Sequence, residues 1–326
     1  MGRTGKIKKA VKSILNAKSV AIAGHIAPDG DSIGSLLSLG AGLESLGKKV
    51  YMISSDGVPK KYKTLPGAEK IVKKLTEKVD IGITVDCSSR DMMGEAYDDF
   101  RKAETIIAID HHRIRKPFGD IEFIDPKAAA VGEQIHDLLR LLKAEITRDI
   151  AQNILTSLIV ETNSFRLPNA RARTFKMCAE LIKKGADFYK LVEMVFWSHP
   201  REVAVLSGIC LARCKFLKKG RLVWSIIKQS DFKRVKGKDE DVDGAADQMR
   251  AIKDVDIVVL FREQSKEKLR VSLRAKKNIN IAKLAESYGG GGHADVAGCG
   301  ISNDSKTIKD LLSKASGMLN EQTNPV

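Results

Sequence analysis

Several short apolar runs in the first half of the chain stop abruptly at aspartate or histidine. Ile106-Ile107-Ala108-Ile109 delivers Asp110, His111 and His112 together, Ile81-Gly82-Ile83-Thr84-Val85 delivers Asp86, and Ser19-Val20-Ala21-Ile22-Ala23-Gly24 delivers His25. Runs that are apolar at nearly every position, rather than alternating, read as strands buried on both faces, which calls for a parallel sheet covered by helices. In an open parallel sheet the C-terminal strand ends share one edge, and ligands bind there. The pattern predicts an α/β fold whose polar strand ends meet at one point.

Between these strands the spacing turns helical. Ile7, Ala10, Val11, Ile14 and Leu15 predict a lead-in helix over 6–17, and Ile33, Leu36, Leu37, Leu39, Leu43 and Leu46 a second one ending at Gly47. The loop before that second helix is His25-Ile26-Ala27-Pro28-Asp29-Gly30-Asp31-Ser32. Asp29 and Asp31 flank a glycine, so one tight turn can aim their carboxylates at two different cations. The same composition also reads as a plain turn with a helix cap. Either way, the helix N-terminus favours a phosphate nearby. Further strands are expected at Lys49–Ser54 and Ile121–Ile124, and helices over 90–102, 131–143 and 147–162. The last of these is largely apolar and ends in Glu161, a carboxylate that burial makes costly unless it is paired or bound to a cation. Glu133 and His136, three apart on a helix, read as a salt-bridged surface pair at least as well as a site.

The second half changes character. Residues 172–217 read as helical, with breaks at Gly185 and Pro200, and hold the domain connection. Strand signals recur at Leu222–Ile227, Asp256–Phe261 and Leu269–Arg274, with helices near 243–253, 279–287 and 305–319. The charged run Lys233–Asp243 reads as an exposed loop. Gly289-Gly290-Gly291-Gly292-His293 lets backbone approach a ligand closely and can turn several N–H groups onto an anion. Arg274, two residues beyond Ser272 on an alternating strand, shares its face and can reach the same anion. The expected architecture is an N-terminal parallel-sheet domain with flanking helices, a helical connector and a smaller mixed-sheet α/β C-terminal domain, with divisions at 1–190, 191–217 and 218–326.

Composition narrows the function classes. A chain of 326 residues with 43% hydrophobic side chains is too long for one ordinary core and can fill two. The net charge of +15 is spread over both halves, as suits phosphate-bearing substrates better than a dedicated basic arm. Five cysteines with no C-x-x-C pair argue against a disulfide framework or a zinc site. No stretch resembles a membrane span, and the first residues lack the apolar core of a signal peptide, so a cytoplasmic location with no membrane partner is expected.

In order and spacing, His25-Ile26-Ala27-Pro28-Asp29-Gly30-Asp31-Ser32, Asp86, Asp110-His111-His112 and Gly290-Gly291-Gly292-His293-x-x-Val296-Ala297-Gly298 resemble the DHH phosphoesterase superfamily. The resemblance, from about residue 19 to 300, is to nanoRNase-like phosphodiesterases with the DHH-associated C-terminal domain. It implies a catalytic domain over 1–190 and a substrate-binding domain over 218–326. It also implies two manganese ions, magnesium being the other option. One would be held by His25, Asp29 and Asp86, the other by Asp31, Asp86 and His111, with Asp86 bridging. The family usually adds an Asp to the second ion, where this chain has Glu161; its extra methylene either reaches the ion or acts through water. By the same carry-over His112 contacts the scissile phosphate, Asp110 supports the site, and Arg274, His293 and Gly290, Gly291 and Gly292 hold the far nucleotide. Two such cations activate water and clamp a phosphate for in-line attack. The implied activity is hydrolysis of short oligoribonucleotides to 5′-mononucleotides. Hydrolysis of c-di-AMP or pApA, dephosphorylation of 3′-phosphoadenosine 5′-phosphate, or non-catalytic nucleic-acid or replication-partner binding stand as alternatives, and a homodimer is left open.

Overall fold

The computed structural model describes residues 3–113, 115–276, 279–292 and 294–319. The chain divides into two compact units, Met1–Ser198 and His199–Val326. Among the described residues no helix is long and apolar enough to cross a membrane.

The first unit runs α1 (Arg3–Asn16), β1 (Ser19–Ala23), α2 (Gly30–Ser45), β2 (Lys49–Ile53), β3 (Ile81–Val85), α3 (Ala96–Phe100), β4 (Thr105–Asp110), β5 (Ile121–Ile124), α4 (Val131–Leu141), α5 (Arg148–Glu161), α6 (Ala172–Lys183) and α7 (Phe188–Val192). Its sheet has the order β2-β1-β3-β4-β5 and is parallel throughout. Every residue of β3 is buried, because the sheet is covered on both sides. One face packs Ile22, Ile83 and Ile109 against Leu36, Ile135 and Ile154 of the helices. The other packs Ala21 and Ala23 with Phe100 and Met93. Helices α2 and α5 cross so closely that a Cβ on Gly34 would lie 2.4 Å from the Asn153 carbonyl oxygen. That approach brings α5 side chains to the start of α2. The strand order reverses direction between β1 and β3, so the crevice at their C-terminal ends is the fold's natural ligand position.

The second unit runs α8 (Arg201–Ala212), β6 (Lys215–Leu217), β7 (Leu222–Ile227), α9 (Gln229–Val235), α10 (Ala245–Arg250), β8 (Ile257–Glu263), β9 (Lys268–Ala275), α11 (Ala282–Glu286), β10 (Gly291–Gly292), β11 (Val296–Ser302) and α12 (Ser305–Gly317). Its sheet, β10-β11-β9-β8-β7-β6, is mixed: β7 and β8 are parallel and the other pairs antiparallel.

Three expectations are corrected. Helix does not continue to residue 217, because Lys215–Leu217 pairs with β7 as an edge strand. The run Lys233–Asp243 is not simply an exposed loop: α9 extends to Val235, a 3₁₀ turn spans Asp239–Val242, and Val242 is fully buried. Its acids have an interior partner, since buried Arg262 donates to Asp243 Oδ1 at 2.7 Å. Glu133 and His136 are not a surface pair, because both are buried. Thr174 Oγ1 of α6 donates to Glu133 Oε1 at 2.7 Å, while His136 lies 3.8 Å from Asp137 and from Glu180.

Candidate functional site

His25 follows the end of β1. Its Nδ1 lies 2.7 Å from the Ile26 carbonyl oxygen, an acceptor that requires the proton on Nδ1. Nε2 therefore turns inward, 3.5 Å from Asp86 Oδ2 and 3.8 Å from Asp29 Oδ1. Asp29 caps α2, its Oδ1 accepting from the backbone N–H groups of Asp31 (2.9 Å) and Ser32 (3.0 Å). The cap reading of this loop thus holds, and the same side chain also lies in a cluster with His25 and Asp86. Asp31 is fully buried. Ser157 Oγ donates to its Oδ1 at 2.6 Å and the Val131 N–H, at the start of α4, to its Oδ2 at 2.9 Å.

Asp86 sits between these groups and the histidine pair. It follows β3 with a left-handed backbone, φ +60°, a conformation that aspartate tolerates better than most residues but that still costs energy. Its N–H donates to the Ile109 carbonyl at 3.0 Å. Its two oxygens face opposite ways: Oδ2 looks to His25, while Oδ1 lies 3.7 Å from His111 Nε2 and 3.6 Å from His112 Nδ1. Oδ1 is buried and has no hydrogen-bond donor among the described residues.

His111 is turned by the Ala128 carbonyl oxygen, 3.3 Å from Nδ1, so that Nε2 faces Asp31 Oδ2, Asp86 Oδ1 and Glu161 Oε1, each at 3.7 Å. Glu161, in the last turn of α5, reaches this group. Asp110 lies one layer back: its Oδ1 accepts from His112 Nδ1 at 2.7 Å and from the His111 N–H at 2.8 Å. Three overlapping sets result, each with ligand atoms within 4.8 Å of one another: His25, Asp29 and Asp86; Asp31, His111 and Glu161; and Asp86, His111 and His112.

The electrostatics of the cluster are unbalanced. Burial drives the Asp86 carboxyl well above the ordinary range, and the charge on Asp31 adds to it. Burial raises Asp31 as well. Burial and the charges of Asp31 and Asp29 push Glu161 up to about 9. Burial opposes a charge on His25, yet its hydrogen bonds to Asp29 and Asp86 carry it up to about 11. The hydrogen bond to Asp110 raises His112. Carboxylates crowded until they resist ionisation, with an orphaned buried oxygen at their centre, fit divalent cations. Oxygen-rich donors with one or two imidazoles suit manganese or magnesium better than softer metals.

In the second unit, β10 pairs Gly291 with Gly298 and Gly292 with Ala297. A Cβ on Gly290 would come within 2.2 Å of the Gly298 carbonyl oxygen, and Gly292 has φ +145°, so hairpin packing accounts for both glycines. Gly291 has open space around it. Arg274 pairs in register with Val296, at the same end of the sheet, and its Nε donates to Asp247 Oδ1 at 3.0 Å. His293 lies outside the described residues. The structure thus gathers His25, Asp29, Asp31, Asp86, Asp110, His111, His112 and Glu161 in the first unit, and Arg274 with the glycines in the second.

Sequence reasoning missed two residues beside the cluster. Ser157 holds Asp31, and its only signal is a hydroxyl interrupting an apolar helix. Asn169 Nδ2 donates to the carbonyls of Ala129 (3.0 Å) and Glu161 (3.1 Å), tying the end of α5 to the segment that orients His111. Nothing local marks it.

A parallel sheet with acids and imidazoles converging at its switch point defines a doubly wound α/β protein with a candidate divalent-metal centre. Family models agree with that class: the N-terminal domain of the DHH family matches residues 19–160, and the DHHA1 domain matches residues 222–321. The chain is 30% identical over 280 residues, 85% of its length and 82% of the relative's, to the bifunctional oligoribonuclease and PAP phosphatase NrnA of Thermus thermophilus. It is 25% identical over 283 residues, 84% of its length and 86% of the relative's, to the probable bifunctional oligoribonuclease and PAP phosphatase NrnA of Streptococcus mutans. In fold it is similar to the crystal structure of an exopolyphosphatase-related protein from Bacteroides fragilis, with a TM-score of 0.87 at 22% identity, covering 98% of this chain and 96% of that one. The chain belongs to the DHH family of hydrolases, with the NrnA-like architecture of a DHH domain followed by a DHHA1 domain.

Proposed function

We propose that this protein is a manganese-dependent phosphodiesterase that hydrolyses short oligoribonucleotides to 5′-mononucleotides. The observation that carries the reading is Asp86, whose two oxygens face separate sets of ligands on either side of the switch point. In this reading His25, Asp29 and Asp86 hold one cation, and Asp31, Asp86, His111 and Glu161 the other. Bound there, the cations supply Lewis acidity toward the phosphoryl group and activation of water.

The chain's own groups do the positioning. Backbone carbonyls at Ile26 and Ala128 fix the tautomers of His25 and His111, so that Nε2 points inward in both. Ser157 and the α4 N-terminus hold Asp31 in place. His112, anchored through Nδ1 to Asp110, meets the non-bridging phosphate oxygens and offsets their charge. In the second unit Arg274, His293 and the backbone of Gly290–Gly292 hold the far nucleotide. Removal of a phosphate from 3′-phosphoadenosine 5′-phosphate is a second activity of the same site, supported by the Thermus relative at 30% identity, whose name includes it.

Purified protein with manganese, offered a diribonucleotide, longer RNA, c-di-AMP and 3′-phosphoadenosine 5′-phosphate, tests this. The diribonucleotide should be cleaved fastest, releasing 5′-mononucleotides. No turnover of any phosphoester, with Asp86→Asn indistinguishable from wild type, would falsify the enzyme reading; a clear preference for c-di-AMP would overturn the substrate assignment.

A further inference from the structure

Asp110 is fully buried and carries charge on both sides. Its Oδ1 takes the His112 Nδ1–H, while its Oδ2 lies 3.3 Å from Nε of Arg115, whose side chain is only 11% exposed. Arg115 Nη1 is in turn hydrogen-bonded to Glu122 Oε2 on β5. The other oxygen of Glu122 accepts the backbone N–H groups of Phe118 (3.1 Å) and Gly119 (3.0 Å). Glu122 is therefore clamped, and β5 itself is registered on β4, with Glu122 opposite Ala108. A chain of contacts, Glu122 to Arg115 to Asp110 to His112, runs from the edge strand of the sheet to the candidate site.

Such a buried ionic chain is a poor way to gain stability, because desolvating three charged groups offsets most of their attraction. Here two buried nitrogens of Arg115, Nε and Nη2, lack a well-aligned hydrogen-bond acceptor among the described residues. What the arrangement does provide is a fixed positive charge 3.3 Å from Asp110 Oδ2, a buried oxygen with no aligned hydrogen-bond donor of its own among the described residues, while Oδ1 takes the His111 and His112 groups.

We propose that Arg115, clamped by Glu122, is a positioning residue that locks the Asp110 carboxylate so that His112 is held as the Nδ1-protonated tautomer with one ring orientation. The proposal rests on the phosphodiesterase reading for its kinetic consequence but not for its structural one.

The full-length protein as Arg115→Met, Arg115→Lys and Glu122→Gln tests it. Partners that orient an active-site histidine are typically worth about 10–100-fold in activity. With manganese and a diribonucleotide, Arg115→Met should lower kcat by that factor with KM within about twofold. Arg115→Lys should recover part of the loss, and Glu122→Gln should show a smaller effect in the same direction. Manganese affinity by calorimetry should stay near wild type, while Tm falls in Arg115→Met, which leaves the buried Asp110 carboxylate without its cation, and falls less in Glu122→Gln. Imidazole ¹⁵N spectra of the metal-free protein, recorded on the alkaline side of the His112 titration where the ring is neutral, should show His112 as a single tautomer in the wild type and as a mixture in Arg115→Met. An unchanged kcat, a fall of manganese affinity in step with kcat, or an unaltered His112 tautomer would each overturn the proposal. Should the wild type cleave nothing, the functional reading fails, and the spectra alone decide the role of Arg115.

Discussion

The two units handle charge in opposite ways. In the second, basic and acidic side chains pair off: Arg213 Nη2 meets Asp231 Oδ1 at 2.9 Å, Arg221 meets Asp256 at 2.7 Å and Arg262 meets Asp243 at 2.7 Å. In the first, Asp29, Asp31, Asp86 and Glu161 crowd around histidines, and burial and mutual repulsion push three of those four carboxyls upward. Charges that satisfy one another serve the fold. Charges that remain in conflict serve something the polypeptide does not itself supply, here a divalent cation.

The sharpest way to break this contrast is at Asp86. Asp86→Asn should lower kcat/KM on a diribonucleotide by at least about 10³-fold, as expected when a group that organises the reacting centre is lost. The same change should stabilise the metal-free protein. A carboxyl whose folded-state pKa lies above its unfolded value is one whose ionisation the native state resists, so at neutral pH its charge destabilises the fold. Calorimetry should show Tm raised by roughly 2–4 °C. A lowered Tm would mean that Asp86 is a structural acid like those of the second unit.

Arg274→Ala comes next. It should raise KM for the diribonucleotide roughly tenfold with kcat within twofold, the usual worth of a charge-assisted hydrogen bond to an anion. An equal fall in kcat would place Arg274 in the reacting centre instead. Manganese itself should then separate the units. At a hundred times its dissociation constant it contributes about 2.7 kcal/mol to a fold that binds it, or roughly 5–10 °C in Tm. That gain should appear in the wild type, shrink in Asp86→Asn and persist in Arg274→Ala. The smallest effect belongs to Asp231. Burial opposes its charge, but the hydrogen bond from Arg213 holds its carboxyl below the usual range. Its contribution is present above the ordinary aspartate pKa and is lost as pH falls through the lowered folded value. Asp231→Asn should cost no more than about 4 °C in Tm and flatten the acid limb of the stability profile.

Much of this was legible in the chain because strand ends are local features. An apolar run that stops at Asp86, or at Asp110, His111 and His112, states both the strand and the side chains it delivers, and parallel topology then brings the ends together. Glu161 could be read as needing a partner because an acid at the exit of an apolar helix is costly, whatever the partner is. What escaped depends on tertiary neighbours. Glu133 and His136 read as solvated because the covering face of α6 leaves no mark on α4. The acids of Lys233–Asp243 look like a surface run until Arg262 is found behind them. Ser157 acts through hydrogen bonds to Asp31 and from the Gly132 N–H, Asn169 through two backbone carbonyls, and neither residue type announces such a role. In the glycine run, packing explains Gly290 and Gly292, whereas Gly291 stands clear of its neighbours.

The left-handed backbone at Asp86 bears on how this site can change over time. Few residues occupy that region readily: glycine does, asparagine and aspartate do at modest cost, and the rest are disfavoured by Cβ crowding. Of those three only aspartate offers two anionic oxygens. The end of β3 and the proposed role of a carboxylate facing two sets of candidate ligands therefore select the same residue independently, one through sterics and the other through charge. A lineage that lost aspartate here could drift to asparagine or glycine without refolding the loop, leaving an intact fold with a silent centre. Position 161, in the last turn of a helix, sets no such limit on its side chain. At position 86 the backbone imposes one.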